Sequence, residues 1–304
     1  MKNSPTSDEI NDLFDNQAPE IAWGKANDVV RRINPAYDFT VIQSVYEDVL
    51  RMFHGEYPGY CAIKTPYHDL PHTLAALMCG VRLMHGVHVS GDRLKDDEIT
   101  LMLIAILMHD IGYAQRKGED SGTGAQFTQA HVRRGIEFTQ MYCAERNLSL
   151  DMTSLAGMIL GTEHIRPFAQ IEFGNDRALM LARIVATADI VGQMADRLYL
   201  EKLLLLYLEF GEAKIGNYQN TYDLLRQTTG FYELMRVKLD GVLGGVHKKL
   251  EFYFKDTMGV DNNYYLEAIE KNIAYLSAIS SCGEKEFSNM LRRYGIAERT
   301  RSLP

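Results

Sequence analysis

Hydrophobic residues recur at three- and four-residue steps along most of this chain, and this spacing constrains its fold more than any other feature. Over residues 39–53, for example, Val41, Val45, Val49 and Met52 fall on one face of a helix and leave the charged residues on the other. Such spacing is typical of amphipathic helices. Only eight prolines occur among the 304 residues, and no segment is of low complexity. The sequence therefore predicts an all-α fold.

The same spacing predicts further helices that are separated by glycine-containing turns. They span residues 21–33, 72–88, 98–110, 125–146, 152–164, 177–210, 221–254 and 264–280. The apolar run LLLLYL at 203–208 is interpreted as buried helix rather than strand, because glutamate and lysine residues flank it within a longer helical pattern.

Composition and charge exclude several classes of protein. Hydrophobic residues make up 46% and charged residues 24% of the chain, as in ordinary folded proteins. The net charge of −8 repels nucleic-acid polymers and anionic lipid surfaces, although not a small phosphorylated ligand held by a metal. The longest apolar stretch, at 99–108, is about half the length of a membrane span. We therefore expect neither a nucleic-acid polymer nor a membrane as a partner.

The N-terminus and the cysteines bear on where the protein is found. The N-terminus is polar and acidic and lacks the apolar run of a secretory signal. The four cysteines, at positions 61, 79, 143 and 282, form no CxxC pair and no disulfide-framework spacing. These features favour a reducing compartment, and we expect a cytoplasmic protein.

Histidines and aspartates occur in contexts that suggest metal binding. Of the nine histidines, His68 and His72 lie together in YHDLPHT, and His109 precedes Asp110 at the end of the apolar run ITLMLIAILM. Asp189 lies in IVATADIVGQM, where an unpaired ionised carboxylate would cost several kcal/mol. A bound cation would remove that cost.

His131 and His164, on or at the ends of later helices, extend the set of donors to six. A helical bundle brings together ligands that are distant in sequence, and imidazole with carboxylate suits zinc, iron or manganese. The first of two ions would take four donors, namely His72, His109, Asp110 and Asp189. His131 and His164 would serve the second, with Asp110 between the two. We expect one or two divalent ions of Zn, Fe, Mn or Mg, and this division of the donors stays open.

The other histidines, at positions 54, 85, 88 and 247, have a simpler interpretation. His85 and His88 are three residues apart on one predicted helix, but no third donor is evident near them. We expect all four to be exposed polar residues.

Five motifs between residues 67 and 196 resemble, in sequence and order, those of the HD superfamily of metal-dependent phosphohydrolases. They are YHDLPH, LMHDIGY, QAHVRRG, LGTEH and ATADIVGQ, and the adjacent pair His109-Asp110 corresponds to the pair that names the superfamily. The resemblance implies an HD-domain helical bundle with additional C-terminal helices. We accordingly divide the chain into a partly helical N-terminal segment over 1–38, an HD metal-binding core over 39–200 and a C-terminal helical extension over 201–304 packed on the core.

The first motif also resembles the YHxxxH element of the cyclic-nucleotide phosphodiesterase branch. That resemblance implies that His72 is a metal ligand and that His68 is the proton donor. Two positions depart from the branch: Asp69 stands where the branch has asparagine, and Pro71 directly precedes His72. The proline favours a helix start at this point and leaves His68 outside the helix, so helical spacing does not place the two rings together.

The resemblance implies hydrolysis of a small phosphoester of the nucleotide or cyclic-nucleotide type. One or two divalent ions would make hydroxide available at neutral pH, with His68 and Asp110 as the catalytic residues. Phosphate oxygens that the metal does not hold need cationic partners, and the main candidates are Arg166 and Lys117, followed by Arg133 and Arg134. Gln193, one helical turn after Asp189, is a candidate for contact with substrate.

Two alternatives to hydrolysis stay open. Some members of the superfamily are similar in having six ligands, but use two irons and dioxygen to cleave C–H or C–P bonds. His68 favours hydrolysis over this oxidation. The other alternative is an inactive signalling module whose C-terminal helices form a partner surface, and the retention of every expected donor argues against it. A homodimer is compatible with the sequence, which does not decide the oligomeric state.

Overall fold

The computed structural model describes residues 6, 10, 12–15, 18–119, 121–163, 166–291 and 295–297. These residues form α-helices joined by turns and short 3₁₀ segments, and no β-sheet occurs among them. Within the same residues, the one strand-like pairing is an isolated bridge between Tyr60 and Arg116. The predicted all-α fold is confirmed.

The α-helices are numbered in chain order. They are α1 (Pro19–Ile33), α2 (Thr40–His54), α3 (Leu70–Val89), α4 (Asp96–Met108), α5 (His131–Glu145), α6 (Met152–Leu160), α7 (Asp176–Met194), α8 (Tyr199–Ala213), α9 (Thr221–Asp240), α10 (Leu250–Met258), α11 (Tyr264–Ser280) and α12 (Glu284–Met290). Short 3₁₀ turns lie at Ile111–Tyr113, Ala125–Phe127, Phe168–Gln170 and Val246–Lys249. The helix predicted over 125–146 thus begins as a 3₁₀ turn, and its α-helical part starts at His131.

A sharp corner divides the helix predicted over 177–210 into α7 and α8, with a bend of 107°. At this corner Asp196 Oδ1 accepts the N–H of Leu198 at 2.8 Å. The Asn272 side chain of α11 donates to the carbonyls of Met194 and Asp196, both at 2.9 Å. These side chains satisfy backbone groups that are left without helical partners where one helix ends and the next begins. The prediction of a single unbroken helix is therefore wrong.

The helix predicted over 221–254 is also interrupted. After α9 ends, Gly244 and Gly245 both adopt a φ of +67° before the 3₁₀ turn that precedes α10. This left-handed conformation disfavours other side chains, so glycine suits the turn. Apolar periodicity continues on both sides of the turn, which is why periodicity alone does not reveal it.

Two long buried helices, α3 and α7, pack against each other in the core. They approach closely at Gly192 of α7, where a Cβ atom would lie 2.9 Å from the carbonyl oxygen of Ala75 in α3. The same pair of helices brings His72, near the start of α3, to within 3.3 Å of Asp189 of α7. Helix packing therefore places two of the predicted ligands together.

One hydrophobic core joins the three predicted segments of the chain. It runs from Ala22 in α1 through the central helices to Leu276 in α11. The divisions at 38 and 200 stay predictions, since the core is continuous across both. In the part of the chain described, no single helix is long and apolar enough to cross a membrane, and α7 and α8 reach that level only when taken together across their bend.

Candidate metal centre

Four of the predicted ligands converge at one buried point. His72 Nε2 lies 3.2 Å from Asp110 Oδ2 and 3.3 Å from Asp189 Oδ1. It also lies 3.3 Å from His109 Nε2. His109 Nε2 is 3.1 Å from Asp110 Oδ2 and 3.7 Å from Asp189 Oδ1. Residues that are distant in the sequence are thus brought together by α3, α7 and the end of α4.

The start of α3 explains why Asp69 and Pro71 occur in the first motif. Asp69 is the N-cap residue, and its Oδ1 accepts the backbone N–H of His72 at 2.8 Å. Pro71 lies in the first turn, where its missing N–H removes no helical hydrogen bond. The helix begins at Leu70 and leaves His68 outside it, as the proline predicted. Asp69 therefore has a local structural role, which an asparagine would also fill.

The His109 ring is held by the helix that it ends. Its Nδ1 lies 2.8 Å from the carbonyl oxygen of Ile106, one of the last carbonyls of α4, which lack intrahelical partners. A carbonyl oxygen only accepts, so Nδ1 carries a proton, and in the neutral ring Nε2 presents its lone pair to the cluster. Metal-binding histidines are usually oriented by such a bond from the outer ring nitrogen.

His131 is oriented in the same way beside the cluster. Its Nδ1 donates to the carbonyl of Thr128 at 2.6 Å, and its Nε2 lies 3.5 Å from Asp110 Oδ1. Gly112 permits this approach, because a Cβ atom there would lie 1.8 Å from the His131 carbonyl oxygen. Asp110 therefore faces different donors through its two oxygens. His164, the other predicted ligand of a second ion, lies outside the described residues.

The carboxylates control protonation in the cluster. Burial alone would lower the pKa of His72, but Asp110 and Asp189 outweigh it and raise the pKa to about 10. The same balance raises the pKa of His109, whereas burial dominates at His131 and lowers its pKa. The pKa of Asp110 is well below its usual range, because the neighbouring histidines outweigh its burial. The site therefore favours positive charge, which protons or a metal ion can supply.

The donor set fits a divalent cation. Asp110 Oδ2 is buried and accepts no well-formed hydrogen bond from the described residues, although two imidazole nitrogens lie 3.1 and 3.2 Å away. Ligand atoms about 2.1 Å from a common ion are about 3.0–3.4 Å apart in octahedral or tetrahedral geometry, close to the separations observed. The donor atoms of His72, His109 and Asp110 all lie within 4.8 Å of one another, and Asp189 Oδ1 lies 3.3 Å from His72 Nε2 and 3.7 Å from His109 Nε2.

His68 is held by Glu209, a residue for which the sequence predicts no role. Its Nδ1 lies 2.6 Å from Glu209 Oε2, and Glu209 Oε1 accepts the backbone N–H groups of Tyr67 at 2.6 Å and of His68 at 3.0 Å. The Glu209 side chain is fully buried. Burial would lower the pKa of His68, but the charges of Glu209 and Asp110 outweigh it and raise this pKa. The ring centroids of His68 and His72 lie 5.5 Å apart.

Tyr113 is a second residue of the site for which the sequence predicts no role. Its ring stacks against those of His68 and His131, with centroid distances of 4.8 Å and 4.4 Å, and the two histidine rings lie 6.0 Å apart. It follows the His-Asp pair in the motif LMHDIGY, but nothing in that motif indicates stacking. Glu209 does carry a sequence signal, since it is a lone carboxylate at the end of the apolar run LLLLYLEF. The same reasoning identified Asp189.

A cavity of about 750 Å³ adjoins the cluster, and two parts of its lining differ in chemistry. One part, which we call the floor, consists of His68, His72, His109, Asp110, His131 and Asp189. Another part, which we call the wall, consists of apolar side chains of α8 and α9, namely Leu203, Leu206, Phe210, Leu224, Phe231 and Leu234.

The three predicted substrate contacts have different positions. Gln193 lines the cavity, and its Nε2 lies 3.5 Å from Asp189 Oδ1. Lys117 is exposed and does not line the cavity. Arg166 is also exposed, and its Nε pairs with Glu163 at 3.2 Å. The structure therefore does not bring the two predicted cations to the cavity, whose described lining contains no lysine or arginine.

Two of the histidines that were predicted to be exposed are buried. His85 is 1% and His247 is 5% exposed, because α3 packs against α10 and the Val246–Lys249 turn. The prediction is wrong for these two residues. His54 is exposed and His88 is half-buried.

Comparison with known proteins gives one match. The family model described as Npun_R2479-like matches residues 117–239, less than half of the chain. The matched segment includes His131, Asp189 and the wall, but not His72 or the His109-Asp110 pair. No curated protein and no solved structure matches the chain.

Proposed function

We propose that the protein is a metal-dependent phosphohydrolase of the HD type that hydrolyses a small phosphoester. One observation carries the proposal: the Nε2 atoms of His72 and His109 each lie 3.1–3.7 Å from oxygens of Asp110 and Asp189, at a buried point beside a cavity. The order of the five sequence motifs supports the same assignment. The four cysteines are free, which supports the cytoplasmic location proposed with it.

His72, His109, Asp110 and Asp189 would hold one divalent ion of Zn, Fe, Mn or Mg. His131, together with the second oxygen of Asp110, offers donors to another. Such an ion, when bound, lowers the pKa of a coordinated water towards about 7 and neutralises charge on the phosphoryl oxygens. The chain contributes the orientation of these donors, which backbone hydrogen bonds fix at His109 and His131.

His68 supplies a proton in this proposal. In hydrolysis the oxygen of water joins phosphorus and the bond to the leaving oxygen breaks, so the leaving oxygen needs a proton. Glu209 binds His68 Nδ1 and leaves Nε2 to carry that proton. Burial opposes protonation of the ring, but the charges of Glu209 and Asp110 outweigh it and raise the pKa of His68. Transfer from Nε2 to the leaving oxygen is general acid catalysis.

Three variants test this proposal. His109→Ala and Asp110→Ala should each lose bound metal and turnover together, because each removes a donor. His68→Ala should keep its metal, measured by elemental analysis, and lose about 10²–10⁴-fold in turnover of a phosphoester with a poor leaving group. Unchanged kcat in His68→Ala would contradict the acid assignment. Full metal content in either ligand variant would contradict the site.

Oxidation is a second candidate function, which the lining of the cavity favours. Phosphate oxygens that a metal does not hold need cations, and no lysine or arginine is among the described lining residues. A di-iron centre that uses dioxygen has no such need. Two irons per chain, dioxygen uptake and no phosphohydrolase activity would favour oxidation. A metal-loaded protein without either activity would favour the inactive signalling module.

A further inference from the structure

We propose that the part of the substrate that does not react is an apolar body, so that the phosphoester is that of an aliphatic or aromatic alcohol rather than of a nucleoside. This inference rests on the proposed function for the phosphoryl head, which the floor would bind. The rest of the substrate is inferred from the wall.

The wall offers apolar surface to a ligand. Leu206, Phe210 and Phe231 line the cavity and are half-buried, so part of each side chain is left uncovered by the protein. Covering this surface with an apolar ligand removes it from water and favours binding. Pockets lined in this way bind mainly through apolar contact, and a few polar groups set the orientation of the ligand.

Some of the lining groups that a nucleoside could use are already engaged with the protein. The lining aromatic residues Phe210 and Tyr218 already stack on each other, with centroids 5.7 Å apart, so a base cannot insert between them. The hydroxyl of Thr228, another lining residue, donates to the carbonyl of Leu224. Each polar group of a base or ribose that is buried without a partner weakens binding by about 5- to 150-fold. The lining glutamines offer both donors and acceptors, so the comparison with a nucleotide below is the decisive one.

The apolar lining continues to the protein surface at Leu234. This side chain lines the cavity and is also 66% exposed. An apolar body that passed it would stay in contact with apolar surface from the mouth of the cavity to the wall. Val237, one turn later on α9, is equally exposed at 66% but does not line the cavity.

Binding of n-alkylphosphonates tests the inference without requiring turnover. The probes carry two, four, six or eight carbons, and calorimetry measures their affinity for the Mn²⁺-loaded protein. We expect affinity to rise by about fourfold for each added methylene that the wall buries. Octylphosphonate should also bind more tightly than adenosine 5′-monophosphate. Affinity independent of chain length, or tighter binding of the nucleotide, would overturn the inference.

Two pairs of matched variants assign the effect to the wall. Leu206 and Leu208 are both half-buried leucines of α8, but only Leu206 lines the cavity. Leu206→Gln should weaken octylphosphonate binding by about tenfold and ethylphosphonate binding by less than about twofold. Leu208→Gln should change neither. The variants Leu234→Asn and Val237→Asn make the same comparison at the mouth of the cavity. If the two variants of each pair changed octylphosphonate affinity equally, the effect could not be assigned to the wall.

The 1-alkanols from ethanol to octanol separate this inference from the proposed function, because they lack the phosphoryl head. Alkanol affinity that rises with chain length, with no phosphoester hydrolysed, would leave the apolar body in place and refute phosphohydrolase activity. Hydrolysis of nucleotides with no preference for alkyl phosphates would support phosphohydrolase activity and refute the apolar body.

Discussion

The floor and the wall of the cavity differ in what holds their side chains. On the floor, Nδ1 of His109 and of His131 each donates to the backbone carbonyl three residues earlier, which fixes both rings. On the wall, Leu206 and Phe231 are half-buried and are held by apolar packing, which is not directional. Chemistry requires groups fixed to within about 0.5 Å, whereas apolar selectivity requires only shape and polarity. Changes on the floor should therefore abolish the proposed activity, and changes in the wall should alter its selectivity.

Removing the charge of Asp110, whose two oxygens face different histidines of the floor, should have the largest effect on metal content and turnover. Asp110→Asn keeps the size of the side chain but removes the charge that outweighs burial at His72 and His109. We expect metal content near zero and turnover lower by about 10³-fold, measured by elemental analysis and a phosphoester assay. Asp261→Asn, at a 65% exposed side chain, should retain both. Full metal occupancy in Asp110→Asn would show that the floor does not depend on this charge.

A substitution at Gly112, whose backbone packs against that of His131, should have the next largest effect, in this case on stability. Gly112→Ala places a Cβ atom 1.8 Å from the carbonyl oxygen of His131, so one of the two segments must move. We expect the free energy of unfolding to fall by about 3 kcal/mol in denaturant titrations. Gly24→Ala is the control: a Cβ atom there meets nothing within 4 Å, and helix propensity predicts stabilisation of up to about 1 kcal/mol. Equal stabilities of the two variants would refute the close approach.

Glu209 connects the two parts of the cavity, because it lies on α8, which carries part of the wall, but contacts His68 on the floor. Glu209→Gln removes the charge beside His68 Nδ1 and should lower turnover about 10- to 100-fold with metal content unchanged. Glu212, one turn later on α8, accepts the N–H of Thr123 at 3.0 Å rather than contacting a floor residue. Glu212→Gln should therefore leave kcat unchanged. A similar loss in both variants would indicate a general effect on α8.

Protonation of the two buried histidines outside the floor, His85 and His247, should have the smallest effect, and this effect is on stability. Burial lowers the pKa of His85 and of His247, more than the nearby Asp256 and Asp240 raise it. The unfolded chain therefore takes up these protons near pH 6.5, whereas the folded chain takes them up only at lower pH. Above about pH 6.5, the free energy of unfolding should not depend on these rings. As the pH drops below about 6.5, it should decrease by up to about 1 kcal/mol for each ring.

Urea unfolding at about pH 7.5 and about pH 5.5 measures this loss. His247→Gln should lose less stability between the two pH values than the wild-type protein does, because it has no ring to protonate. The exposed His54 provides the control, and His54→Gln should lose as much as the wild type. Equal losses in all three proteins would show that burial does not hold the His247 ring neutral.

The floor is largely predictable from the sequence, because its signals are local. Asp189 is conspicuous as a single carboxylate in an apolar segment, and the pair His109-Asp110 ends an apolar helix. The periodicity that predicts the all-α fold also places these residues on helices. The local sequence does not predict that the His68 ring lies beside the His72 ring. The two rings meet across the start of a helix, where the geometry depends on the Asp69 cap.

The wall and Glu209 depend on the corner after α7, which no local pattern reveals. In an unbroken helix Glu209 would lie about 30 Å from Asp189, given a rise of about 1.5 Å per residue. The 107° bend instead brings α8 to the same cavity as Asp189. Asn272, which holds the corner, is 76 residues from Asp196 in sequence. A contact of this range follows from packing rather than from periodicity.

The role of Asn272 limits how far the protein can be shortened. A fragment that stopped after residue 200 would retain the helices that carry His72, His109, Asp110 and Asp189, and by motif it would look complete. It would lack the amide that caps the Met194 and Asp196 carbonyls, together with α8 and α9. The donors would then open directly to bulk water on the side where the wall had been. The smallest unit that could carry the proposed activity therefore extends at least to α11.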